Sequence, residues 1–103
     1  MKSKIRTKQE IFEVLQQNQY HLIALGVKRI GLFGSFIHGL QRTDSDIDLL
    51  VEFEQNRKTF DNFIELSFLL EDVLQHRVEI VTLESLSPYI GPHILKEVEY
   101  AAI

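Results

Sequence analysis

The fold of this chain is decided by LFGSF at residues 32–36 and by DIDLLV at residues 46–51, with ten residues separating Ser35 from Asp46. Residues 27–33 are β-prone and run directly into the Gly-Ser pair, which predicts a strand, a tight turn and a short helix from about Ser35. A second strand is predicted from about Asp46, and its apolar run is typical of a strand that is covered on both faces. This second strand is therefore expected at the centre of its sheet.

The remaining segments supply helices and one further strand. Residues 7–10 have the capping-box pattern of a helix N-terminus, and Gly26 is expected to end that helix. Apolar residues at helical spacing predict a long helix over residues 59–74 and a last helix that runs from about Ile94 to the C-terminus. Residues 77–81 are predicted to form a third short strand. The predicted class is α/β (α+β), a small mixed β-sheet with helices packed on it, in the order αβαβαβα.

Length and composition limit the kind of protein. With 103 residues and 45% hydrophobic content, residues 1–103 are expected to form one compact domain. The formal net charge of -4 argues against direct nucleic-acid binding, which normally needs a basic face. The sequence contains no cysteine, no signal-peptide pattern and no apolar run of membrane-spanning length. We therefore expect a cytoplasmic protein without a membrane segment.

Three acidic residues form a candidate metal site. Asp46 and Asp48 are two apart on a strand, so they project from the same face with roughly 6.5 Å between their Cα atoms. Two such charges repel by about 2.5 kcal/mol at an effective dielectric near 20. If Glu79 on a neighbouring strand faces the same way, a divalent cation would relieve the repulsion, and oxygen ligands favour Mg²⁺ or Mn²⁺. The alternatives are a turn residue at Asp46, an exposed strand charge at Asp48 and an edge-strand glutamate at Glu79.

The Gly34-Ser35 pair is a candidate anion site. A turn between a strand and a helix offers backbone N–H groups, and glycine lets a phosphate approach the main chain closely. The Ser35 hydroxyl either donates to such a phosphate or caps the helix. His21, His38, His76 and His93 show no ligand spacing to one another and are interpreted as structural or surface residues.

With these motifs the chain resembles the minimal nucleotidyltransferases (MNT) of the polymerase-β-like superfamily, whose signature is Gly-Ser, ten residues, Asp-x-Asp and a later third acid. The resemblance implies the polymerase-β-like fold, with Gly34 and Ser35 holding the triphosphate of ATP or another NTP. It also implies that Asp46, Asp48 and Glu79 are catalytic and bind Mg²⁺, with two ions expected and Mn²⁺ as an alternative. An acceptor hydroxyl would then attack the α-phosphorus and expel pyrophosphate, with Glu79 as metal ligand or base.

Two residues depart from the family pattern. The third acid is commonly aspartate in these small proteins, whereas Glu79 has one more methylene. The segment after Gly-Ser usually carries an arginine where this chain has His38. We expect the glutamate to be tolerated and the histidine to reduce phosphate affinity or rate.

The resemblance also implies a partner. In this family the partner is often a HEPN-type RNase toxin, which the MNT protein neutralises as an antitoxin by transferring AMP to a tyrosine, in a type VII-like toxin–antitoxin pair. The sequence therefore predicts a protein adenylyltransferase, with a hetero-oligomer as one form of the assembly. The alternative is an inactive or weakly active antitoxin that binds its partner stoichiometrically. A third hypothesis is an acidic scaffold domain without nucleotide affinity.

Overall fold

The N-terminal segment forms two consecutive helices. The computed structural model describes residues 7–42 and 44–103. Within it, α1 spans Lys8–Gln17 and α2 spans Gln19–Ala24. The prediction of one continuous helix up to Gly26 is therefore wrong.

Local hydrogen bonds explain both the start of α1 and the break after it. The predicted capping box is confirmed, because the Thr7 hydroxyl accepts from the Glu10 N–H and the Glu10 carboxylate accepts from the Thr7 N–H. Asn18 leaves the helical conformation at φ -106° and ψ 17°, and its side chain donates to the Val14 carbonyl at 2.8 Å. Asparagine readily makes such bonds to nearby backbone, which competes with continuing the helix.

Four strands form one mixed sheet in the order β3-β2-β1-β4. Strand β2 is parallel to β3, whereas β1 is antiparallel to both β2 and β4. The strands are β1 Val27–Phe33, β2 Ile47–Phe53, β3 Val78–Thr82 and β4 Glu99–Tyr100. The predicted mixed sheet and the interior position of the second strand are confirmed.

Three further helices connect or flank these strands. They are α3 Ser35–His38, α4 Phe60–Leu74 and α5 Gly91–Glu97, and a 3-10 turn lies at Leu83–Ser85. Helix α4 begins where the Thr59 hydroxyl accepts from the Asn62 N–H at 3.1 Å. It crosses from β2 to β3, as a parallel strand pair requires.

The core lies between one face of the sheet and helices α1, α2 and α4. On β2, the alternate residues Ile47, Leu49 and Val51 are fully buried in this core. They pack with residues of the helices, including Ile11, Leu15, Leu22, Leu66, Leu70 and Leu74. Each such side chain contributes roughly 1.5–3 kcal/mol relative to exposure. The intervening residues of β2, Asp48 among them, must therefore project from the opposite face.

The C-terminal segment differs from the prediction. The expected helix from Ile94 to the C-terminus is wrong beyond Glu97, since the chain becomes extended at Val98 and residues 99–100 form β4. Strand β4 pairs with Gly31 and Leu32 at the edge of β1. A Cβ atom at Gly31 would lie 2.5 Å from Val98 Cγ2, so a glycine is needed for this close approach. Covering the edge of β1 satisfies backbone groups that a continued helix would leave unpaired.

No helix of residues 7–42 and 44–103 is both long enough and apolar enough to span a membrane.

Candidate active site

Two of the predicted acids meet on neighbouring strands. Asp48 on β2 is the register partner of Glu79 on β3, and on its other side it is the partner of Phe33 at the end of β1. Because parallel neighbours in register present their side chains to the same face, Asp48 and Glu79 lie side by side on the face opposite the core. The two carboxyl groups interact, since Glu79 contributes to a raised pKa of Asp48. The structure thus brings together the second and third acids of the sequence pattern.

The surroundings of Asp48 favour its protonated form. Burial raises the pKa of the Asp48 carboxyl to about 7, and the hydrogen bond and negative charge of Glu79 act in the same direction. The charges of Asp46 and Glu97 add smaller contributions of the same sign. A carboxyl group that holds its proton near neutral pH because it is partly buried and lies beside other carboxylates would gain from a cation at the same place.

Asp46 lies next to this pair but forms an ion pair with Arg77. It directly precedes β2, and its Oδ1 accepts a hydrogen bond from Arg77 Nε at 3.0 Å. Among residues 7–42 and 44–103, no group of three or more His, Asp or Glu side chains is arranged to hold a metal ion. The carboxylate oxygens are ligands of the type that Mg²⁺ prefers, but Asp46 would have to leave Arg77 to join Asp48 and Glu79.

The Gly-Ser turn packs directly against Asp48. Gly34 has φ +84° and ψ -151°, a backbone region that is essentially restricted to glycine. A Cβ atom at Gly34 would overlap Asp48 Oδ2. Gly34, rather than Ser35, is the N-cap position of α3, and Ser35 is the first residue of that helix. Of the two roles left open for Ser35, capping is therefore not the one adopted.

Sequence reasoning missed the residue that contacts this turn. Glu97, the last residue of α5, accepts a hydrogen bond from the Gly34 N–H at 2.9 Å through Oε2. Its Oε1 accepts from His38 Nε2 at 2.8 Å. These two hydrogen bonds, that of Gly34 first, lower the pKa of the Glu97 carboxyl. Sixty-three positions separate Glu97 from Gly34, so no local pattern connects them.

Two further residues lie near the site, and of these only Arg77 was not considered in the sequence analysis. Arg77, which precedes β3, supplies the cation that holds Asp46. His76 was predicted to be structural, and the structure confirms a structural contact: its Nε2 lies 2.5 Å from the Ser45 carbonyl oxygen, and its ring meets Phe36 edge-on. Both residues join the segment before β2 to the start of β3.

A comparison of the sequence with protein-family models assigns the chain to a protein family. A model described as the nucleotidyltransferase domain matches residues 8–101. The chain belongs to this family. The match includes the Gly-Ser turn, the Asp-x-Asp segment and β3, which is the set of elements that forms the candidate site.

Individual relatives agree with this assignment. The protein adenylyltransferase MntA of Thermococcus cleftensis is 40% identical over 95 residues, which are 91% of this chain and 95% of MntA. A solved structure described as a minimal nucleotidyltransferase has a TM-score of 0.70 at 35% identity and covers 85% of this chain and 93% of its own. A toxin–antitoxin crystal structure with AMP-PNP has a TM-score of 0.64 at 26% identity, covering 89% of this chain and 69% of its own. The predicted minimal nucleotidyltransferase family, its fold and its enzyme class are confirmed.

Proposed function

We propose that this minimal nucleotidyltransferase transfers AMP from ATP to a hydroxyl group of a partner protein and thereby acts as an antitoxin. The observation that carries the proposal is the pairing of Asp48 and Glu79 on adjacent strands, directly against the Gly34 turn. Two comparisons support it, since one relative is a protein adenylyltransferase and one similar solved structure is a toxin–antitoxin complex with an ATP analogue.

In the proposed site, the Gly-Ser turn would bind the phosphates and the acidic residues would bind the metal. The main chain at Gly34 and Ser35 would hold the triphosphate, and the carboxylates of Asp46, Asp48 and Glu79 would hold Mg²⁺, whose charge would offset that of the phosphates. Glu79 would act either as the third Mg²⁺ ligand or as the base that accepts the proton of the attacking hydroxyl. As the new oxygen–phosphorus bond forms at the α-phosphate, the bond to the β-phosphate oxygen breaks. The products are an adenylylated hydroxyl and pyrophosphate.

A HEPN-type RNase toxin is the proposed partner, as the family resemblance implies. The protein also has apolar side chains in exposed positions that could contact another chain. On α4, Phe60 and Phe68 are 78% and 69% exposed, although the same helix buries Leu66 and Leu70 completely. Exposed aromatic groups of this kind are typical of surfaces that contact another protein.

The proposal is tested by transfer to a purified partner. We expect that the protein, ATP, Mg²⁺ and the purified product of the neighbouring gene give an AMP-sized mass increase on that product, measured by intact-protein mass spectrometry. The double variant Asp46→Asn with Asp48→Asn should abolish this increase. Asp44→Asn is the matched control, because Asp44 is an exposed loop residue two positions before Asp46. A toxin that forms a stable complex with the parent protein but gains no AMP would reject the proposal.

The structure also supports a second candidate function, stoichiometric binding without catalysis. Asp46 is paired with Arg77 and the Gly34 N–H is bound to Glu97, so two groups that the reaction needs are engaged by the protein itself. Under this hypothesis the double Asp→Asn variant protects cells from the toxin as well as the parent does. Loss of protection in that variant would favour the enzyme.

A further inference from the structure

We propose that Glu97 is an internal substitute for phosphate, whose carboxylate occupies the nucleotide site and must be displaced when the triphosphate binds. This inference rests on the proposed function, because it concerns the same site. It assigns to Glu97 a regulatory role: the residue sets how tightly ATP is held and keeps the site closed to other anions when ATP is absent.

The contacts of Glu97 are those that a phosphate group would make. One carboxylate oxygen accepts from the main-chain N–H of Gly34 at 2.9 Å, and the other accepts from the His38 ring at 2.8 Å. A backbone N–H at a glycine turn together with a nearby cationic or donor side chain is a common arrangement for binding phosphate oxygens. A carboxylate and a phosphate oxygen cannot occupy these two donors at the same time.

The position of Glu97 within its own helix does not account for these contacts. Glu97 is the last residue of α5, where the helix dipole disfavours a negative side chain. The next residue, Val98, is extended, and β4 then fixes the chain against β1. The location of the carboxylate is therefore determined by the turn and by His38, and not by the stability of α5.

Charge makes coexistence of Glu97 and a triphosphate unfavourable. The negative charge of Glu97 already acts on Asp48, and the hydrogen bonds from Gly34 and His38 keep the Glu97 carboxyl ionised. A triphosphate bound beside it would meet a further negative charge in addition to those of Asp46 and Glu79. Like charges at such short range cost free energy even near a protein surface.

Glu97 can leave without unfolding its surroundings. Its side chain is 27% exposed and that of His38 is 51% exposed, so both lie at the boundary with solvent. A change of side-chain rotamer is enough to carry the carboxylate into water while β4 stays paired. Displacement frees the Gly34 N–H and also His38, which stands where the family usually has an arginine. The hydrogen bond between His38 and Glu97 would thus be replaced by one between His38 and a phosphate oxygen.

The test measures binding of Mg²⁺·ATP and of inorganic tripolyphosphate by isothermal titration calorimetry. Glu97→Gln removes the charge, and Glu97→Ala removes the whole carboxylate. We expect Glu97→Ala to bind both ligands about 3- to 30-fold more tightly than the parent, because a charge-assisted hydrogen bond at a partly exposed site no longer competes. Glu97→Gln should lie between the parent and Glu97→Ala. The control Glu99→Gln also removes one negative charge, but from an exposed residue paired with Lys8, and should bind within about twofold of the parent.

Each outcome decides the matter. Unchanged binding by Glu97→Ala would show that the Glu97 carboxylate does not compete with the ligand. Weaker binding would show that Glu97 positions the turn or His38 for the ligand. Either result overturns the proposal. Tighter binding of ATP without tighter binding of tripolyphosphate would also overturn it, since the competition is for a phosphate site. If the parent binds Mg²⁺·ATP and Glu97→Ala does not bind it more tightly, only this inference fails. If neither protein binds it, the proposed function fails as well.

Discussion

Asp48→Asn is expected to make the metal-free protein more stable at about pH 8 and at the same time to abolish AMP transfer. Asp48 is held among carboxylates in a partly buried site that raises its pKa to about 7, so the ionised form is unfavourable in the folded state. Asparagine has the same shape, carries no charge and can still donate a hydrogen bond to Glu79. Transfer should fall at least about 100-fold, because the proposed Mg²⁺ ion, whose charge would stabilise the reacting phosphates, loses a carboxylate ligand.

The stabilisation should depend on pH in a defined direction. The reference pKa of the carboxyl is 3.8 and the folded value is about 7, so between these values the folded protein binds more protons than the unfolded chain. Stability contributed by this group is therefore lost as pH rises through that range. Because the side chain is partly open to water, we expect Asp48→Asn to gain about 1–2 kcal/mol above pH 7 and close to nothing near pH 4.

Thermal unfolding followed by circular dichroism in the presence of EDTA measures this effect. A gain of about 1–2 kcal/mol corresponds to a rise in Tm of roughly 5–15 °C for a chain of this size. Asp44→Asn, at an exposed loop position, should leave Tm nearly unchanged at both pH values. A Tm of Asp48→Asn equal to or below that of the parent at about pH 8 would contradict the assigned environment of Asp48.

Gly34→Ala is expected to cause the largest loss of stability among single substitutions at the site. Alanine at φ +84° and ψ -151° is strained by itself, and its Cβ would overlap Asp48 Oδ2. Strain of about 1–3 kcal/mol combines with the displacement of Asp48, so we expect a decrease in the free energy of unfolding of about 3–4 kcal/mol. Urea unfolding at equilibrium measures this change.

Gly39→Ala is the matched control for that measurement. Gly39 also has a positive φ, +69°, but a Cβ atom there would meet no atom within 4 Å. Gly39→Ala should lower the free energy of unfolding by the backbone strain alone, about 1–2 kcal/mol. Equal losses for Gly34→Ala and Gly39→Ala would show that contact with Asp48 contributes nothing. Binding of Mg²⁺·ATP should be lost in Gly34→Ala and retained in Gly39→Ala.

The sequence by itself determined the parts that depend on neighbouring residues. Capping at Thr7, the burial of β2 on both faces and the short helix from Ser35 depend on local sequence, and all three were predicted correctly. The Gly-Ser turn, the Asp-x-Asp segment and the later acid carried the resemblance to the family, and the structure packs this turn directly against Asp48.

Only the tertiary structure decided the contacts between distant segments. Residues 98–100 have apolar and polar groups that suit a helix as well as a strand. They form a strand because they pair with the edge of β1 beside Gly31. Arg77 and Glu97 carry no sequence signal for their roles, since their partners Asp46 and Gly34 are brought to them by the folded sheet. Periodicity encodes which face a residue occupies, but the identity of a partner far along the chain is fixed only when the strands and helices pack together.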